Sequence, residues 1–217
     1  MGIFFTPKTW AEDIQCVYNA TDETFECGKF TYAQGKYSVS IGKSNQANGE
    51  FSVAMGDQNL AYDKYSSVVG YKNEANGMYS SALGSSNTAS GNHSSALGSS
   101  NNASGNYSSA VGNQNNATAS SAQAFGRENN YSEGTLEMGA GAVALGVYNN
   151  WSNQNVTVGT YSTVVGSDNN NSSNAVTVGQ YSTAVGRSNT TSANYSSAFG
   201  YKNTASGLYS SALGSQS

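Results

Sequence analysis

Tyr79-Ser80-Ser81-Ala82-Leu83-Gly84-Ser85-Ser86-Asn87-Thr88-Ala89-Ser90-Gly91-Asn92 is one turn of a repeat, and its reading decides the fold. Its first half alternates with period two: Tyr79, Ser81 and Leu83 face one way, Ser80, Ala82 and Gly84 the other. That is strand patterning with one face kept small. Glycine preceded by a large apolar residue recurs every 14 residues from Gly42 to Gly126, and Cys27-Gly28 keeps the same phase one step earlier. The step lengthens to 20 for Gly146, Gly166 and Gly186, then returns to 14 for Gly200 and Gly214. Asparagine stands third after each glycine from Asn45 to Asn203. Because Asn tolerates left-handed backbone, this column predicts a repeated tight turn. A second glycine column, including Gly35, Gly49, Gly77 and Gly91, predicts the other corner; Asp63, Ala119 and Ala193 replace it in three coils.

Fourteen residues hold two short strands and two corners but no helix, so each repeat is one coil of a parallel β-roll, or solenoid, paired to its neighbours. The glycine levels, spaced by about 4.8 Å, predict a rod of roughly 60 Å. The expected core is the column before the glycine, with Leu83, Leu97, Val111, Phe125, Leu145 and Val165 among its members. One large apolar side chain per coil does not comfortably offset about 1–2 kcal/mol of backbone entropy per ordered residue. Self-association is therefore expected, through the small Ser, Ala and Gly face; these columns do not distinguish two chains from three.

Nine Lys and Arg oppose 13 Asp and Glu, for a net charge of −4, and only 10% of residues are charged. So few cations argue against nucleic acid and against anionic membranes as partners. With one histidine, two cysteines and no acidic cluster of ligand spacing, no metal, cofactor or catalytic centre is expected. His93 reads as a ring in an aromatic column. A carbohydrate-active solenoid needs converging carboxylates, and Asp57, Asp63, Glu74, Glu128 and Asp168 form no paired column. An ice- or mineral-binding solenoid needs a regular threonine array, whereas Thr-Val-Gly occurs only at Thr157 and Thr177.

The units Ser52-Val53-Ala54-Met55-Gly56 and Ser80-Ser81-Ala82-Leu83-Gly84 resemble the head repeat of YadA-like trimeric autotransporter adhesins of Gram-negative bacteria, over residues 24–217. The resemblance implies an all-β, left-handed parallel β-roll that assembles as a homotrimer at the tip of a coiled-coil stalk. It also implies a place on the bacterial outer membrane, reached by a type V pathway, with membrane contact only through a C-terminal anchor. No heptad stalk, anchor segment or signal peptide is read in these residues. The chain is therefore expected to be a head piece, with residues 1–23 as leader and 24–217 as roll. The Asn- and Tyr-rich flavour resembles fusobacterial or Veillonella-type members, some of which bind CEACAM-family adhesion molecules. The implied partner is such a receptor, or matrix collagen or fibronectin, engaged multivalently. The alternatives are an ice- or mineral-binding solenoid, or a spacer or autoaggregation module.

Two surfaces are candidates for contact. An aromatic column five before each repeat glycine includes Tyr65, Tyr79 and Tyr107; it is either a contact strip or a stacking ladder. The three long coils each insert six residues after the turn asparagine, and stacked insertions form a ridge, with Tyr131, Tyr148 and Trp151 as anchors. The plainer alternative is a solvated bulge with Trp151 folded back. Cys16 and Cys27 either form a disulfide, as in exported proteins, or stay as two buried thiols. Trp10, Ile14 and Val17 are candidates to cap the first coil. Triplets such as Asn106-Tyr107-Ser108 match a glycosylation acceptor but arise here from composition.

Overall fold

The structure, a computed structural model, describes residues 15–174 and 176–217; Trp10 and Ile14 lie outside them. Every regular element among the described residues is a strand. The chain divides into two compact units, residues 1–99 and 100–217.

In the first unit a hairpin comes first: Gln15–Asn19 runs antiparallel to Thr24–Lys29. Parallel strands follow at Val39–Lys43, Val53–Asp57, Ser67–Tyr71, Ser81–Ser85 and Ser95–Ser99, with each glycine paired to the next coil's glycine. Two-residue strands such as Thr88–Ala89 form the opposite side of each coil. Cys16 stands opposite Cys27 with 3.9 Å between Cα atoms, and their sulfurs are joined in a disulfide that closes the hairpin. Val17, between them and the hairpin turn, is exposed.

In the second unit long strands run in parallel from Ser109–Asn113 to Ser211–Ser215. The long coils add a second sheet of Leu136–Met138, Val156–Val158 and Val176–Val178. Val156, Val158, Val176 and Val178 pack there with Ala142, Leu136 and Met138.

The side of the strand that turns inward is the reverse of the expected one. Ala82, Ser80 and most of their equivalents are fully buried, while Leu83 is 38% exposed, Leu97 47% and Leu145 37%. Val111, Phe125 and Val165 are only partly buried. These six do not form the core of the coil; they project outward from it. The reason is size: two strands and two corners of a 14-residue coil enclose room for Ala, Ser and Asn, with valine tolerated at Val68 and Val164. The small face is the inside, so it is not the surface offered to another chain.

The asparagine column also does something other than expected. Its members are not the left-handed residues: Ser86 has φ 57° and Tyr79 has φ 57°, one at each corner, and Asn87 is turned inward between strands. Asn73 shows the pattern. Its Nδ2 donates to the Val69, Gly84 and Asn59 oxygens at 3.2, 2.7 and 3.1 Å, and its Oδ1 accepts from Asn87 N and Nδ2 at 2.9 and 3.0 Å. A buried ladder of amides thus stands beside a thin core of alanines and a few valines. It satisfies backbone groups at the corner, and within each unit it links neighbouring coils. Asn73→Ala leaves several of these groups buried without partners, at about 1–3 kcal/mol each. A loss of roughly 3 kcal/mol in chemical denaturation is expected, against less than about 0.5 kcal/mol for the exposed Ser104→Ala.

Candidate functional site

The aromatic column occupies the second corner of each coil. The turn is closed by Ser80 N–H donating to the Gly77 carbonyl at 3.1 Å, and Tyr79 sits left-handed within it. Left-handed backbone costs a β-carbon residue roughly 1–2 kcal/mol, and ring stacking between coils offsets part of that. Tyr65 and Tyr79 lie 4.7 Å apart with planes 1° off parallel; Tyr181 and Tyr195 lie 5.1 Å apart at 2°. His93 stacks on Tyr79 at 4.9 Å. Tyr65, Tyr79 and Tyr107 are all exposed. The rings therefore stack by their faces as a ladder between coils and remain exposed. Charge beside the column is sparse. Lys64 donates to Glu50 at 2.6 Å, and that hydrogen bond raises its pKa above the ordinary lysine value; the exposed pair adds little stability.

The ridge is built from stacked hydroxyl turns. Ser152 Oγ donates to the Asn174 carbonyl at 2.6 Å and accepts from Gln154 N at 3.0 Å; Ser132 and Ser172 hold Gly134 and Asn174 N–H groups the same way, each at 3.1 Å. Behind them runs a second amide ladder. Asn150 Nδ2 donates to Asn130 Oδ1 at 2.8 Å, Asn170 Nδ2 to Asn150 Oδ1 at 3.1 Å, and Thr191 N caps Asn170 Oδ1 at 2.7 Å. All three asparagines are left-handed, so the insertion adds one more corner to each long coil.

Of the three ridge residues expected as anchors, the structure brings two together. Tyr131 and Trp151 are half-buried, with ring centroids 6.3 Å apart and planes 13° off parallel. The Trp151 indole Nε1 is buried with no hydrogen-bond partner. Tyr148 instead lies against Arg127, whose guanidinium is 4.6 Å from its ring centroid and also donates to its hydroxyl. Sequence reasoning missed the serine turns, although Ser132, Ser152 and Ser172 stand two residues before the residues they bond, a spacing known for hydroxyl turns. It also missed the outward apolar columns, Met55, Val69, Leu83 and Leu97 in one unit and Leu145, Phe199 and Leu213 in the other, all exposed.

Among the described residues no group of His, Cys, Asp or Glu is arranged to hold a metal, and no helix is long and apolar enough to cross a membrane. The family model of the YadA head domain repeat matches residues 33–59, 64–87, 89–115, 178–203 and 194–217. None of the curated proteins matches the chain.

Proposed function

Because this chain belongs to the YadA head domain family, we propose that it is the adhesive head of a trimeric adhesin on the bacterial surface, which binds host receptors by multivalent contact. The observation that carries the assembly is the outward apolar column. Leu83, Leu97 and their equivalents form a stripe on each unit that a lone chain leaves in water. Contiguous apolar stripes of this kind mark contact surfaces. Packing copies of the same column around a common axis covers it, and that leaves the tyrosine edges and the Tyr131–Trp151 ridge for the receptor.

The receptor is a host protein: a CEACAM-family adhesion molecule, or matrix collagen or fibronectin. Three copies of one ridge convert weak single contacts into retained binding when receptors are close together. Trp and Tyr are among the residue types enriched at the energetic centres of protein contacts. Trp151→Ala with Tyr131→Ala is expected to weaken attachment of folded head to host cells by tenfold or more, measured with the circular dichroism spectrum unchanged. Attachment at the wild-type level removes the ridge as the contact. A wild-type head that retains no host protein in a membrane pull-down turns the reading toward autoaggregation or spacing.

A further inference from the structure

The long coils carry a second feature, away from the Tyr131–Trp151 pair. On the outward face of the three-stranded sheet, Glu137, Thr157 and Thr177 stand in register as one exposed row. Thr160 and Gln180, at the following corner, line with this row and with Gly159 and Gly179 an open, shallow cleft of about 330 Å³. That volume falls at the lower end of small-molecule sites, roughly 300–1,000 Å³.

The chemistry of the walls is unusual for this protein. Many Asn side chains of the protein are engaged in ladders, yet among the described residues no hydrogen bond engages the side chains of Glu137, Thr157, Thr160, Thr177 or Gln180. Three hydroxyls, an amide and a carboxylate thus converge on one cleft with their capacity unspent. Hydroxyl and amide groups that both donate and accept, with little apolar lining beside them, suit a ligand with a hydroxyl rim.

We infer that this cleft binds a neutral glycan, with Thr157, Thr177 and Gln180 reading its hydroxyl or acetamido groups. Glu137 is the single ionisable lining residue, and no cation faces it, so sialylated or sulfated sugars meet repulsion rather than a partner. Val158 and Val178 are almost wholly buried, so the floor offers little apolar surface to a peptide side chain or a lipid. The row also lies on a sheet face, where no free backbone ladder is available to an added strand.

The site is distinct from the ridge, and it is tested on the whole chain by calorimetric titration with N-acetyllactosamine, chitotriose and 3′-sialyllactose. Saturable binding of a neutral probe, at least fivefold stronger than the sialylated one, is the expected result. Thr157→Arg with Thr177→Arg fills the cleft from solvent-facing positions and lowers that affinity at least tenfold. The milder Gln180→Ala lowers it severalfold, and Trp151→Ala leaves it unchanged. Absence of saturable binding by both neutral sugars overturns the inference, as does preference for the sialylated probe or wild-type affinity in the arginine variant. Binding of an unglycosylated fibronectin fragment that the arginine variant abolishes replaces the glycan with a protein partner, and also overturns it. The outcome is independent of the ridge: host-cell attachment lost in the Trp151 and Tyr131 variant alongside intact sugar binding separates the two.

Discussion

Gly84→Ala is expected to unfold the coils around it. Gly84 has φ +115°, outside the region open to residues with a β-carbon, and a Cβ built there overlaps the carbonyl oxygen of Gly98 in the next coil. The obstacle is backbone held in register by the strand pairing of Ser81–Ser85 with Ser95–Ser99, so no side-chain rotation relieves it. Asn87 Nδ2, 3.1 Å from the same added atom, is fixed by its own bonds to Leu83 and Gly98 carbonyls at 2.9 and 2.8 Å. The combined strain and lost ladder bonds amount to at least about 3 kcal/mol. Stacked repeats transmit such a loss mainly to nearest neighbours. Amide hydrogen exchange should therefore rise most at residues 81–99, with a lower melting temperature. Protection equal to wild type at Leu83 and Leu97 amides would show that the coils separate enough to admit a methyl group, contrary to the geometry described above.

Leu83→Asp with Leu97→Asp is expected to do the opposite: to leave the coil folded and abolish assembly. Both side chains point out of the coil and make no part of its interior, where Ala82, Asn87, Ala89 and Ser94 are fully buried. In a single chain the carboxylates stay in water. In an assembly packed on this column they are buried unpaired, at a cost of several kcal/mol each, multiplied by the number of copies that meet. Light scattering should move from an oligomer to the 22.5 kDa of one chain, with the β-rich circular dichroism spectrum retained. A wild-type protein that already runs as a folded 22.5 kDa species removes the assembly from the proposed function. A variant that loses its β spectrum as well would mean that these leucines support the coil itself.

The opposite responses expected of neighbouring residues, Leu83 and Gly84, show how far the sequence can be read. The 14-residue phase, the two corners, the parallel pairing of coils and the lengthening to 20 residues are all visible as columns of letters, because each is a property of spacing. The stacked aromatic column and the inserted ridge are visible for the same reason. Tyr131 and Trp151 could be placed on that ridge from their numbering; that Tyr148 turns instead to Arg127 could not, because a corner residue's direction depends on its local backbone.

By itself the sequence determined the repeat and its register, since period-two alternation and glycine spacing need no knowledge of the third dimension. Which face of the alternation is inside was decided only by the tertiary structure. Alternation defines two faces and does not label them, and the usual expectation that the larger side chains are buried fails in a coil too narrow to hold them. The interior volume set by two strands and two corners selected Ala82 and Asn87 for burial and sent Leu83 outward. The cohesion of the roll thereby passed from apolar packing to an amide ladder, and its largest apolar surface was left facing out, where another chain can cover it.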